Sequence, residues 1–264
     1  MEVARDIGWS PTKISRAESG RESIPPDEVE KLIDYYRVAE PLRRQLLSFA
    51  EDAVQQGWWE DYAHVLAPEY SEFIGLEAEA ASILSCHFEV IPGLLQTEEY
   101  ARQISLGYQR VIPVSPSEVE HMVKIRMTRQ ARLAREPVLH LSAIIDESAL
   151  LRNIGGPPVM RAQLEHLARI CERPNVEIRV LPLNRNVSLA VGSSFQVMSF
   201  SCRDAPGPAG LGDIVSTESL RTELYIEGED DTYLYRLVHN ALTDASLSPG
   251  ESRHLMANIA QVRY

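Results

Sequence analysis

The amino-terminal stretch, up to Gly57, is cut by helix breakers into pieces too short to stand alone. Gly8 stops a small apolar face made by Val3, Ala4 and Ile7. Ser10 and Pro11 are an N-cap and a first-turn residue for a second helix that ends at Gly20, with Ile14 and Ala17 inward. Beyond Pro25-Pro26, Val29, Leu32, Ile33 and Tyr36 recur at helical spacing, and Leu42, Leu46, Phe49, Ala50 and Ala53 repeat the pattern. Short helices are marginal in water, because nucleation is costly and few hydrogen bonds follow it. The stretch therefore predicts a cluster of short helices that hold one another, closed by Gly57-Trp58-Trp59.

After that the pattern mixes. Ala80–Ile91 reads as strand-like and Thr97–Gly107 as helical. Ser115-Pro116-Ser117-Glu118 is a capping box opening a long helix to about Arg135. Val138–Ile145 is a dense apolar run suited to a buried strand. Met160, Leu164, Leu167, Ala168 and Cys171 form a helical stripe, followed by alternating Val176, Ile178 and Val180. That strand–helix–strand order permits a parallel crossover. Gly192–Phe200 and Thr222–Ile226 look like further strands, Asp204–Gly212 like a loop, and two helices near 230–244 and 249–261 close the chain. The expected class is α+β: an all-α region over 1–56, a linker over 57–70, and a larger mixed α/β domain over 71–264. At 264 residues one large or two unequal domains are expected.

Gly8-Trp9-Ser10-Pro11-Thr12-Lys13-Ile14-Ser15-Arg16-Ala17-Glu18-Ser19-Gly20-Arg21 is the most informative run. A helix-turn-helix needs a short first helix, a tight turn with a small residue, and a second helix with a polar outer face. Gly8 permits the turn, and Thr12, Lys13, Ser15 and Arg16 remain outward near the start of the second helix, where side chains reach base edges in the major groove. Arg16 can bond bidentately to guanine, and Arg21 is placed to touch phosphate. The chain's net charge of −12 argues against non-specific nucleic-acid binding by the whole surface. A DNA contact must be local, and Lys13, Arg16 and Arg21 against Glu18 and Glu22 leave this run slightly basic.

The run is similar to the helix-turn-helix of the XRE (Cro/repressor) regulators, in the form Gly-Trp-Ser-x-x-Lys-Ile-Ser-Arg-x-Glu-x-Gly. The similarity continues through Gly75-Leu76-Glu77-Ala78-Glu79-Ala80, Pro92-Gly93-Leu94-Leu95-Gln96-Thr97-x-x-Tyr100-Ala101, Gly192-x-x-Phe195 and Tyr225-x-Glu227. These resemble an actinobacterial family that joins an XRE domain to a carboxy-terminal domain of the Scr1-type, antitoxin-like kind. The resemblance covers nearly the whole chain. It implies a DNA-binding regulator, and the expected protein is cytoplasmic, binds a double-stranded DNA operator as a homodimer, and meets a small-molecule effector or a small acidic partner protein through its larger domain. Members normally begin with one more helix and the start of the next. This chain opens inside the latter, so the resemblance implies a helix-turn-helix lacking its first helix, or a misassigned start, and weaker DNA binding.

Other chemistry is sparse. Lys124, Arg126, Arg129, Arg132 and Arg135 lie on one long helix with no acidic residue from His121 to Arg135. This tract is open to two readings: a site for an anionic ligand, DNA phosphates or an acidic partner, or a solvated face paired with the chain's carboxylates. Glu77 and Glu79 would share a face if extended, and paired carboxylates can do acid–base work. Without a nearby His or a glycine-lined pocket they read as rim or surface residues. Seven scattered His without His-x-x-x-His or Cys-x-x-Cys spacing argue against a metal site. Gly192-Ser193-Ser194-Phe195 is no nucleophile elbow, and Gly207, Gly210 and Gly212 miss the dinucleotide spacing. Cys86, Cys171 and Cys202 read as reduced thiols. No stretch approaches the roughly 18 apolar residues of a membrane span. The expectation is a DNA-binding regulator with no catalytic motif and no cofactor. An antitoxin-like interaction module, or an enzyme derived from such a regulator, stands as the alternative.

Overall fold

The computed structural model describes residues 2–18, 24–54, 59, 62, 66–109, 111, 113–135, 137–185, 193–200, 212–218 and 223–264, without the side chains of 2, 16, 18, 48, 49 and 51–54. Two compact units divide the chain, Met1–Glu60 and Asp61–Gly207 with Leu211–Tyr264. Half of the expected linker over 57–70 falls outside the described residues, and its last three residues, Pro68 to Tyr70, are helical; the breakers Gly20, Gly57 and Trp58, the loop from Asp204, and Cys202 also lie outside the described residues.

In the first unit the breakers act as their chemistry requires. Helix α1 (Glu2–Asp6) ends in Gly8, whose φ of +75° is a left-handed conformation that glycine adopts without steric cost. The N–H of Trp9 then closes the turn on Ala4 O at 2.7 Å. Helix α2 (Pro11–Glu18) is capped by Ser10, whose hydroxyl accepts from Lys13 N at 3.1 Å. Helix α3 (Pro26–Tyr35) opens on Pro26, with Asp27 and Glu28 against the positive end of its dipole. Helix α4 (Leu42–Val54) packs on α3, and Arg43 clasps α3 through Glu30 at 2.8 Å and Asp34. Ala4, Ile33 and Ala50 are buried. Tyr36 and Leu42 depart from the inward pattern, at 59% and 45% exposed. Each lies at a helix end, Tyr36 as the C-cap of α3 and Leu42 as the first residue of α4, where the helical period no longer dictates the face.

The second unit is built on a six-stranded sheet. Helix α5 (Pro68–Glu79) leads into β1 (Ser82–His87). A 3-10 turn at Gly93–Leu95 precedes α6 (Glu98–Tyr108) and α7 (Pro116–Arg129). The expected long helix is α only to Arg129, where it tightens into a 3-10 turn over Gln130–Leu133. There follow β2 (His140–Asp146), α8 (Glu147–Leu151), α9 (Pro157–Ile170), β3 (Val176–Leu181), β4 (Phe195–Ser199), β5 (Ile214–Glu218), β6 (Glu223–Ile226), α10 (Glu229–Ala245) and α11 (Pro249–Val262). The strand order is β3-β2-β1-β4-β5-β6, with β1, β2 and β3 mutually parallel and the other pairings antiparallel. The parallel half needs long crossovers, which α6–α7 and α8–α9 supply.

Alternation along the strands sorts the core into two layers. Cys86, Ile144, Leu181, Phe195, Val197 and Val215 meet Leu242 of α10 on one face. On the other, Ile145, Ile178 and Val180 are fully buried on the side of α9 and α11, which contribute Leu164, Leu167, Met256 and Ala260. Each such aliphatic side chain contributes about 1.5–3 kcal/mol by leaving water. The β3 edge is closed by the segment entering α11: Leu247 N donates to Val180 O at 2.9 Å, and Val180 N to Ser252 Oγ at 2.9 Å.

Candidate functional site

In the first unit, α2 presents Thr12 and Ser15 to solvent, while Ile14 and Ala17 turn partly inward. Lys13 is different from the expected outward residue. Its Nζ lies 2.7 and 2.5 Å from the two carboxylate oxygens of Glu28 and 4.6 Å from the centre of the Trp9 ring. The cause is local: Glu28 sits in the first turn of α3, at a helix end that favours a carboxylate, and a half-buried lysine beside it is drawn in. Arg16 occupies an α2 position with its side chain outside the described residues, and Arg21 lies outside them altogether.

In the second unit Arg126, Arg129 and Arg132 are each held by acceptors within the chain, while Lys124 and Arg135 of the same tract are exposed. Arg129, 6% exposed, forms a bidentate pair with Glu77, 2% exposed, through Nε to Oε1 at 2.7 Å and Nη2 to Oε2 at 2.6 Å. Its Nη1 donates to the Tyr70 hydroxyl at 2.5 Å, and the guanidinium stacks over Phe73 at 4.9 Å. Burial opposes the charge of Arg129, but the Glu77 carboxylate and Tyr70 outweigh it, and its pKa lies above the ordinary arginine value. Arg126 Nη1 donates to Gln96 Oε1 at 2.7 Å. Arg132 Nη2 donates to Ala80 O at 3.0 Å, and its Nη1 to Pro137 O. The three side chains thus reach separate sets of acceptors, Arg132 from the 3-10 turn that follows Arg129.

Glu77 and Glu79 do not share a face. They lie in α5, not in a strand, and two residues apart on a helix point roughly 200° from one another. Glu79 is exposed and Glu77 is a core residue, so the expected rim role fails for Glu77.

The same cluster anchors the segment after β1. Gln130 Nε2 donates to Gly93 O and Gln96 O at 3.0 and 2.7 Å, and Gln96 Nε2 to Ile91 O at 2.6 Å. Gln163 of α9 donates to Leu95 O at 2.7 Å and accepts from Thr97 N at 2.6 Å. Residues 92–97 are thus held by side-chain amides that satisfy backbone groups a loop would otherwise leave bare. Sequence reasoning missed Tyr70, Phe73, Gln96, Gln130 and Gln163. One signal existed: Gln163 stands beside Leu164 in the apolar stripe of α9, where a buried amide demands partners.

Burial pushes the Cys86 thiol well above its ordinary pKa and that of Cys171 up to about 11, so both stay protonated at neutral pH. Burial lowers the His87 imidazole to about 4, which keeps it neutral. Among the described residues no three His, Cys, Asp or Glu are placed to hold a metal ion, and no helix is long and apolar enough to cross a membrane.

Compared with known proteins, residues 1–46 match the family described as "Helix-turn-helix domain". Residues 70–258 match the family described as "Domain of unknown function (DUF5753)". No curated protein matches the chain.

Proposed function

The chain belongs to the DUF5753 family and carries a helix-turn-helix domain ahead of that region, and from this we propose that it is a sequence-specific transcriptional regulator of the XRE type. The observation that carries the reading is the match over residues 1–46, joined to a glycine turn at Gly8 and an α2 whose Thr12 and Ser15 face solvent. In this reading α2 enters the major groove, Ser15, Thr12 and Arg16 meet base edges, and Arg21 meets phosphate. Two copies bind a pseudo-palindromic operator, because a two-fold protein matches two half-sites one helical turn apart. The second unit, over the proposed span 71–264, dimerises and senses an effector, regulatory rather than catalytic. Its Arg129–Glu77 cluster is scaffold for that role.

The test is selection of bound sequences from a random duplex pool with the full chain, followed by titration at several salt concentrations. Enrichment of a two-fold motif supports the reading. Arg16→Ala should then cost about 1–3 kcal/mol on that motif and relax one position of it. Binding without sequence enrichment, or an Arg16→Ala variant with unchanged affinity and preference, defeats it.

A further inference from the structure

Helix α10 turns one side to the sheet: Thr232, His239 and Leu242 are buried, and Tyr235, Val238 and Ala245 pack against the core cluster of that face. Its opposite side is not the polar surface that such a helix ordinarily shows to water. Tyr233, Leu234 and Leu237 are 60%, 57% and 45% exposed, and Ala241 is exposed beside them. With Asp230 before them and Asp244 after them, they follow the spacing i, i+3, i+4, i+7, i+11 and i+14, which keeps all six on one line along the helix. This is a seam of the kind that a second helix covers.

Carboxylates close both ends of the seam, and no cation answers them. Glu227, Glu229, Asp230 and Asp231 gather at the start of α10, and Asp244 stands in its last turn. None of the five forms an ion pair among the described residues, and the one arginine of α10, Arg236, is held by Asp213. The helix dipole favours the three acids of the first turn, but it opposes Asp244, which no lysine, arginine or histidine of the last turn offsets. Asp230 and Asp244 lie 14 residues, about 21 Å, apart along the axis. A second copy of α10 fits this pattern poorly. Antiparallel pairing about a two-fold axis sets each Asp230 against the other copy's Asp244, and parallel pairing sets each aspartate against its own counterpart. Like charges facing one another destabilise both arrangements. Four apolar side chains are also far fewer than the roughly 20–30 residues per side of a standard dimer interface. They match instead the i, i+3, i+4 and i+7 anchors by which one surface takes a single amphipathic helix.

We propose that this face of α10 docks an amphipathic helix of a partner protein, its apolar side on Tyr233, Leu234, Leu237 and Ala241 and its lysines or arginines on Asp230 and Asp244. Docking here needs no DNA and goes beyond the regulatory role proposed above. The test uses the full chain and a labelled peptide of about 18 residues, long enough as a helix to span both aspartates. The peptide carries leucine along one side and lysine flanking it, and binding is read by fluorescence anisotropy. It should bind with a Kd of about 10 μM or tighter at low salt. Its glutamate-for-lysine analogue and a scramble of its own composition should bind at least tenfold more weakly. Leu234→Ser/Leu237→Ser should weaken binding at least tenfold and Asp230→Asn/Asp244→Asn at least threefold, each variant being confirmed to melt as the parent does. Glu165→Gln, an exposed carboxylate on α9 at the other face of the sheet, should leave binding unchanged. The proposal is overturned if the peptide does not bind, if the scramble binds as well, or if Leu234→Ser/Leu237→Ser binds as the parent does, which would mark unspecific attraction to an acidic chain. It is overturned as well if that variant, with no peptide present, sediments as a monomer where the parent sediments as a dimer, since the seam would then be a contact between copies of this chain.

Discussion

Removing the Glu77 carboxylate while Arg129 remains tests whether the centre of the second unit is held by charge or merely contains it. In Glu77→Leu the guanidinium, 6% exposed, would lose both short carboxylate bonds and keep the Tyr70 hydroxyl and the Tyr70 and Phe73 rings. Stranding one member of a buried pair costs about 3–5 kcal/mol, because the remaining charge cannot recover its hydration. In a unit of this size about 1 kcal/mol shifts Tm by about 2–4 °C, so the variant should melt about 6–20 °C lower. Glu77→Leu/Arg129→Met tests the reasoning more sharply. With both charges gone and the volume roughly kept, more than half of the loss should return, since a buried pair is often no more stable than a packed apolar substitute. Urea unfolding of parent, singles and double, closed as a thermodynamic cycle, gives the coupling directly. A single-variant loss under 1 kcal/mol, or a double variant whose loss equals the sum of the singles, would refute the argument.

Three further outcomes are expected. Glu28→Gln should release Lys13 for phosphate, steepening the fall of log affinity with log salt by about one unit and tightening binding at low salt; an unchanged slope would mean Lys13 never reaches DNA. His87, with a folded pKa of about 4 because burial disfavours its charged form, lies below the unfolded value of about 6.5, so the unfolded chain takes up the proton first as pH falls. The stability it contributes is complete above about pH 6.5 and is lost toward pH 4, by up to about 3 kcal/mol; His87→Leu should flatten urea-derived stability over that window, and an unaltered pH profile would contradict it. A fragment of residues 68–264 should be soluble and unfold cooperatively, because both layers packed on its sheet come from within that span, and a non-cooperative melt would show otherwise.

Where local rules alone decide the outcome, sequence and structure agree closely. The Ser115 cap, the Pro-led start of α7, the Gly8 turn and the apolar runs of β2 and β3 depend on interactions a few residues apart. The α+β class follows from those elements, since parallel strands separated by helices have few ways to pack. β5 escaped notice because Ile214–Glu218 is short, follows a Gly- and Pro-rich stretch, and gains its strand character from pairing with β4 and β6.

The sequence by itself determined where helices begin, where the backbone must turn, and which residues are apolar enough to form a core. The tertiary structure alone decided which charges meet. Arg129 and Glu77 are 52 residues apart, and Lys13 and Glu28 are 15 apart; in each case a residue that reads as a free surface charge is held by a partner that no local spacing announces. The row of Ser85, Gln196, Ser216 and Tyr225 across β1, β4, β5 and β6 likewise exists only through the register of strands distant in the chain. The physical reason is range. Capping and helical periodicity act within about one turn, whereas an ion pair or a strand register is fixed only after the chain has folded back on itself and removed the water between the groups.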